Sequence, residues 1–112
     1  MFDMFKNLGN LGDLMRRANE MREQVRAMQE ELGRRQVTAE AGAGMVQATV
    51  NGKLELVKLR IDRERIDPAD TEMLEDLIVA AVHAAQTRAA EMLREEMQKK
   101  AAEMGLPPGL MG

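Results

Sequence analysis

The chain has 112 residues, one histidine, no cysteine and a formal net charge of -3. A single domain of this length leaves much apolar surface uncovered unless a second chain supplies the rest, which raises self-association as a reading to weigh. The lack of Cys excludes disulfides, thiol catalysis and cysteine-ligated zinc and fits a reducing compartment, while two aromatics, Phe2 and Phe5, against 11 Met imply an adaptable interior of Leu, Val, Ile, Ala and Met.

The first segment, MFDMFKNLG, has an acid at Asp3 and lacks the long apolar stretch of a secretory signal. Residues 1–10 are expected to form a mobile tail. From Leu11 the apolar positions run Leu11, Leu14, Ala18, Met21, Val25, Met28 and Leu32, alternating spacings of three and four. That is a heptad seam, narrow and suited to helix-on-helix contact. Asn10 or Asp13 is the expected cap at its start, and Gly33 the residue just past its end.

After Gly33 the pattern changes to strands: QVTAEA, MVQATV and LELVKLRI. Ala41-Gly42-Ala43-Gly44 is the first turn, and Asn51-Gly52 predicts a two-residue hairpin with positive φ at both positions. In the third strand the apolar parity shifts from Leu54 and Leu56 to Val57, Leu59 and Ile61, which predicts either a bulge or burial on both faces near Leu56.

Asp67-Pro68-Ala69-Asp70 marks the start of a second helix, with Asp67 as the expected cap and Asp70, Glu72, Glu75 and Asp76 near the positive end of its dipole. This helix uses Leu74, Ile78, Ala81, Ala85, Ala89 and Met92 at a mean spacing near 3.6 and runs to about Met104, where Gly105 and Pro107-Pro108 stop it. Residues 105–112 are expected to be a second mobile tail.

The run MLEDLIVAAVHAA, residues 73–85, is apolar around most of a helix and falls short of the roughly 18 apolar residues that span a bilayer. It is expected to be the buried middle of the second helix, with Leu74, Ile78, Ala81, Val82 and Ala85 forming core or subunit contacts and His83 as a packing residue. No membrane partner is expected, and the cytoplasm is the expected compartment.

These elements give an α+β fold: an α-β-β-β-α protomer, one domain over residues 1–112, with a three-stranded antiparallel sheet flanked by two long helices. Helices of roughly 23 and 34 residues are about 34 and 50 Å long, and strands of six to eight residues span only about 20–27 Å, so both helices overhang the sheet.

No catalytic constellation, metal site or cofactor site is expected. His83 lies among Val82, Ala84 and Ala85 with no recognisable nucleophile motif. Glu72 and Asp76 share a helix face, but helix-end electrostatics accounts for them. DRERIDPADTEM imitates a calcium loop except that Ile66 and Asp67 stand where an oxygen ligand and a glycine are required. Gly42, Gly44, Gly52 and Lys53 fail the spacing of a phosphate loop.

Charge is uneven: residues 67–112 carry four bases and nine acids, whereas residues 1–35 carry seven and six. The start of the first helix and the end of the second are expected to project together, carrying Arg16 and Arg17 on one and Arg94, Lys99 and Lys100 on the other, with Arg22 and Arg26 one turn apart on a flank of the heptad seam; these groups are suited to DNA phosphates. Glu20, Glu23, Glu30, Glu95 and Glu96 interleave with these bases, and a solvated mixed-charge face is the competing reading. With no aromatic platform, binding to single strands is disfavoured.

The heptad helix after NLGNLGDLM, then GMVQATVNGKLELVKLRID, DPADTEMLEDLIVAAVHAA and the GLPPGL tail together resemble the YbaB/EbfC family of small bacterial nucleoid-associated proteins. The resemblance implies a homodimer with helices projecting as tweezers. It also implies binding to double-stranded DNA with little sequence specificity, a change in DNA conformation, and a place on the nucleoid in its organisation or in gene regulation. The family's projecting helices fall here on Arg16, Arg17, Arg22 and Arg26 and on Arg94, Lys99 and Lys100. No enzymatic activity is implied. The alternative reading is a protein-interaction adaptor for the replication or recombination machinery, favoured by the Met-rich seam and the acidic balance.

Overall fold

The computed structural model describes residues 2–105, with side chains from Asn10 onward. In chain order the elements are α1 (Phe2–Arg34), β1 (Gln36–Ala41), β2 (Val46–Asn51), β3 (Leu56–Ile61) and α2 (Thr71–Glu103). The strands form one antiparallel sheet in the order β1-β2-β3. The α-β-β-β-α order is therefore as the sequence leads one to expect. Two compact units are present, residues 1–32 and residues 33–112.

α1 departs from expectation at both ends. It begins at Phe2, not at an Asn10 or Asp13 cap, so residues that were expected to be a tail are helical. Gly9 and Gly12 each cost about 1 kcal/mol relative to Ala within a helix and do not stop it. Gly33 lies inside the last turn, with its carbonyl accepting from the Gly52 N–H at 3.2 Å. Both helices have 33 residues, about 50 Å each.

The β1–β2 turn has three consecutive left-handed residues, Gly42, Ala43 and Gly44, with φ of 62, 52 and 87°. A Cβ on Gly42 would sit 2.8 Å from Leu77 Cδ2 and 3.0 Å from Met45 Cε. Gly42→Ala is accordingly expected to lower unfolding stability by about 1–2 kcal/mol from backbone conformation alone, read as a fall in denaturation midpoint.

The second hairpin corrects the Asn51-Gly52 expectation. Its loop is closed by the Asn51 N–H donating to the Glu55 carbonyl at 3.0 Å, and the positive φ falls on Leu54, at 63°, rather than on Asn51 and Gly52. Asn51 causes the change: its Oδ1 accepts from the Lys53 and Glu55 N–H groups at 2.9 and 3.0 Å, replacing the tight turn with a three-residue loop. The predicted bulge is present. Thr49 faces Lys58 but Val50 faces Leu56, which leaves Val57 without a partner.

The start of α2 also shifts. Asp67 forms a turn, its Oδ1 accepting from Ala69 N–H at 2.9 Å and its carbonyl from Asp70 N–H at 3.0 Å. With that carboxylate occupied, Asp70 becomes the helix cap, accepting from Met73 N–H at 3.1 Å. At the other end Gly105 has φ of 74° and donates to the Ala102 carbonyl, the left-handed stop expected of a glycine there. Pro107-Pro108 and the rest of the expected tail lie outside the described residues.

α2 packs on one face of β1 and β2. Val46, Ala48 and Val50 of β2, Ala39 of β1, and Ala81, Ala85 and Ala89 of α2 form the buried core. Three alanines one turn apart keep the helix backbone close to the sheet, and polar contacts fix its line. Arg88 donates to the Thr38 carbonyl at 2.7 Å, Gln86 to the Leu54 carbonyl at 3.2 Å, and Arg35 pairs with Glu96 at 3.0 Å. Odd-numbered β2 residues use their backbone toward β3, as the Met45–Asp62 and Asn51–Glu55 bonds show. Thr38, opposite Thr49, therefore turns its carbonyl to the free edge of β1, where Arg88 meets it. The flank of β3 is different: Leu54, Leu56, Val57 and Leu59 remain exposed.

Candidate nucleic-acid interface

Along α1 the heptad seam is uncovered from Leu11 to Val25, while Leu32 at its end is buried. Leu11, Leu14, Met21 and Val25 are all exposed, Leu14 at 60%. On this helix Arg16 pairs with Asp13 at 2.5 Å, and Arg26 bridges Glu23 and Glu30, the latter at 2.6 Å. The hydrogen bond from Arg26, reinforced by its charge, holds the Glu23 carboxyl below the usual carboxylate range and raises Arg26 in turn. That pairing therefore persists at neutral pH and is released only as pH falls through the lowered Glu23 value. Arg17 and Arg22 are exposed and make no ion pair among the described residues.

The bases of α2 show the same division. Lys99 lies 3.9 Å from Glu96 and Lys100 3.7 Å from Glu103, whereas Arg94 is exposed without an ion pair among the described residues. Arg16, Arg17, Arg22 and Arg26 belong to one compact unit and Arg94, Lys99 and Lys100 to the other. Within each helix, spacing of three or four residues joins Arg16, Arg26, Lys99 and Lys100 to a neighbouring carboxylate and leaves Arg17, Arg22 and Arg94 outside such pairs among the described residues.

Of the residues expected in core or subunit contacts, Ala81 and Ala85 are fully buried, and Leu74, Ile78 and Val82 pack against the core while keeping part of their surface. His83 is exposed, so its expected packing role does not arise within the protomer. It stands one turn from Val79, itself 69% exposed, on the helix face turned away from Ala81 and Ala85.

Sequence reasoning passed over Lys58, Arg60 and Arg63. Lys58 and Arg60 are exposed on β3 opposite Thr49 and Gln47, and Arg63 follows in the next turn. The signal was present in the alternation of KLR within LVKLRI. Among the described residues no three His, Cys, Asp or Glu side chains are grouped to hold a metal, and no helix is long and apolar enough to cross a membrane.

Residues 6–104 match the YbaB/EbfC DNA-binding family. The chain belongs to this family. Among YbaB/EbfC relatives, a nucleoid-associated protein of Moorella thermoacetica is 46% identical over 100 residues, covering 89% of this chain and 96% of that one. A nucleoid-associated protein of Paramagnetospirillum magneticum is also 46% identical over 100 residues, covering 89% and 94%. In fold, the YbaB/EbfC chain is similar to the crystal structure of uncharacterized protein HP0035 from Helicobacter pylori. The TM-score is 0.57 at 24% identity, over 71% of this chain and 93% of that one.

Proposed function

We propose that the protein is a homodimeric nucleoid-associated protein that binds double-stranded DNA through its phosphates, with little sequence preference, and alters the duplex conformation. It would act on the nucleoid, in the cytoplasm, in nucleoid organisation or gene regulation. Membership of a DNA-binding family carries the DNA partner. The exposed seam of Leu11, Leu14, Met21 and Val25 supports the dimer, since a heptad stripe left bare on one chain is covered most simply by a copy of itself.

Phosphate contact requires that affinity fall steeply with salt and depend little on sequence. Gel-shift titration of two unrelated duplexes at low and moderate salt tests this; an absence of binding at low salt would overturn it. The pairing along α1 adds a second expectation. Glu23→Gln with Glu30→Gln removes both partners of Arg26 and should tighten duplex binding roughly threefold to tenfold at low salt.

One observation favours the adaptor reading: bases and acids on the helices largely neutralise one another while the Leu- and Met-rich seam is bare. Reversing Arg17, Arg22 and Arg94 to Glu distinguishes the two readings together with the sheet variants described below. If neither set alters DNA affinity in a folded protein, an adaptor gripping a replication or recombination protein is the better account.

A further inference from the structure

We infer that the outer face of the sheet, through Lys58, Arg60 and Arg63, is a contact surface for the phosphodiester backbone of double-stranded DNA, separate from the bases of the two helices. The inference rests on the duplex-DNA reading above and adds where phosphates are held.

The first step is the availability of charge. A guanidinium already bound by a carboxylate on its own helix must give up or share that partner before it meets a phosphate, which is the situation of Arg16 and Arg26. Lys58, Arg60 and Arg63 are exposed and have no carboxylate within ion-pair distance among the described residues. Residues 56–65 carry four bases against two acids. The fourth base, Arg65, is occupied by the carbonyls of Gly42 and Ala43 and lies 3.8 Å from Asp62, so it holds the turn instead.

The second step is placement. Ala48 is fully buried under α2, and its neighbours Gln47 and Thr49 therefore project to the opposite face. Lys58 and Arg60, facing Thr49 and Gln47, share that face and stand about 6.8 Å apart along the strand. Across the sheet, Thr49 meets Thr38 with their hydroxyls 2.7 Å apart. The row Thr38, Thr49, Lys58 thus presents hydroxyl and ammonium groups to one side, with Arg60 beside it. Beyond Arg60, residues 61–65, Arg63, Asp62 and Glu64 among them, border a polar depression with Gly44 and Gln47. Three carboxylates border this surface: Glu40 on β1, opposite Gln47 and close to Gly44, and Asp62 and Glu64 in the depression, where Asp62 lies 3.8 Å from Arg65 and accepts from the Glu64 N–H; Glu55 is engaged by Asn51 Nδ2.

The third step is the class of ligand. Cations and hydroxyls without an aromatic group suit phosphate oxygens, not stacked bases, and a sheet surface with backbone-fixed spacing reads a regular polyanion rather than a flexible strand.

The test compares full-length protein with a sheet variant, Lys58→Gln/Arg60→Gln/Arg63→Gln, and a helix variant, Arg17→Gln/Arg22→Gln/Arg94→Gln, by titrating duplex DNA across a series of salt concentrations. The sheet variant should bind at least about tenfold more weakly at moderate salt. Its log–log salt dependence should be shallower by roughly 0.9 for each lost contact per protomer. In the unaltered protein, bound duplex should protect Lys58 from acetylation, a readout that decides the matter even if the sheet variant fails to fold. Unchanged affinity and slope in a folded sheet variant, or equal Lys58 labelling with and without DNA, overturns the inference while leaving DNA binding in place. Failure of the unaltered protein to bind duplex at low salt overturns both, and protection of Lys58 only by an acidic protein would assign this face to a protein partner.

Discussion

Ala85→Leu is expected to destabilise the protein by about 1–3 kcal/mol, the usual cost of forcing extra methylenes into a packed interior. Ala85 is wholly buried, between Ala81 and Ala89 on the line where α2 lies against Val46, Ala48 and Val50. A larger side chain there must lift the helix. Lifting it also strains the bonds from Gln86 to the Leu54 carbonyl and from Arg88 to the Thr38 carbonyl, which depend on the close approach. At about 4–8 °C per kcal/mol for a unit of this size, the change is readily seen in thermal denaturation. Val79→Leu, on the exposed side of the same helix, is the control and should shift stability by less than about 0.5 kcal/mol. Equal midpoints for the two variants would mean that the alanine line is not the tight contact described.

The second large effect is on assembly. Leu14→Glu with Met21→Glu places two carboxylates seven residues apart on the bare seam of α1. Glu is a good helix former and both positions are exposed in the protomer, so the helix should persist. What should be lost is the proposed homodimer, since a carboxylate buried unpaired in its contact is far costlier than the Leu or Met it replaces. Sedimentation equilibrium should then give a monomer at concentrations where the unaltered chain is a dimer. Duplex affinity should fall by at least about a hundredfold as two linked sets of phosphate contacts become one. A variant that stays dimeric would place the subunit contact elsewhere, with the exposed β3 flank of Leu56, Val57 and Leu59 the next candidate.

Much of the fold was legible because its signals are periodic. The alternation in QVTAEA and MVQATV and the 3.6-residue repeat from Leu74 to Ala89 each reflect burial on a single face, and the bulge showed itself as a break in parity. The errors fell where a side chain competes with a backbone group. Asn51 binds two N–H groups and enlarges the hairpin loop, and Asp67 closes a turn and passes the cap to Asp70. Propensity alone does not say which acceptor a given N–H will choose. His83 is exposed within the protomer because MLEDLIVAAVHAA is apolar on nearly every side and the small sheet covers only the Ala81–Ala85 side, a choice that composition does not reveal. At the candidate interface, counting charges found the bases but not their partners. Arg16 and Arg17 are adjacent in sequence, yet one is bound to Asp13 and the other is free of ion pairs among the described residues.

The bond from Arg88 to the Thr38 carbonyl has a bearing on how many chains can join. A three-stranded sheet offers two borders to incoming strands, and repeated use of both is how fibres grow. Here a guanidinium occupies the Thr38 carbonyl on the β1 border, so a strand adding there must displace Arg88. Strand pairing through the sheet is therefore easier at β3 than at β1, which works against addition at both borders of one chain.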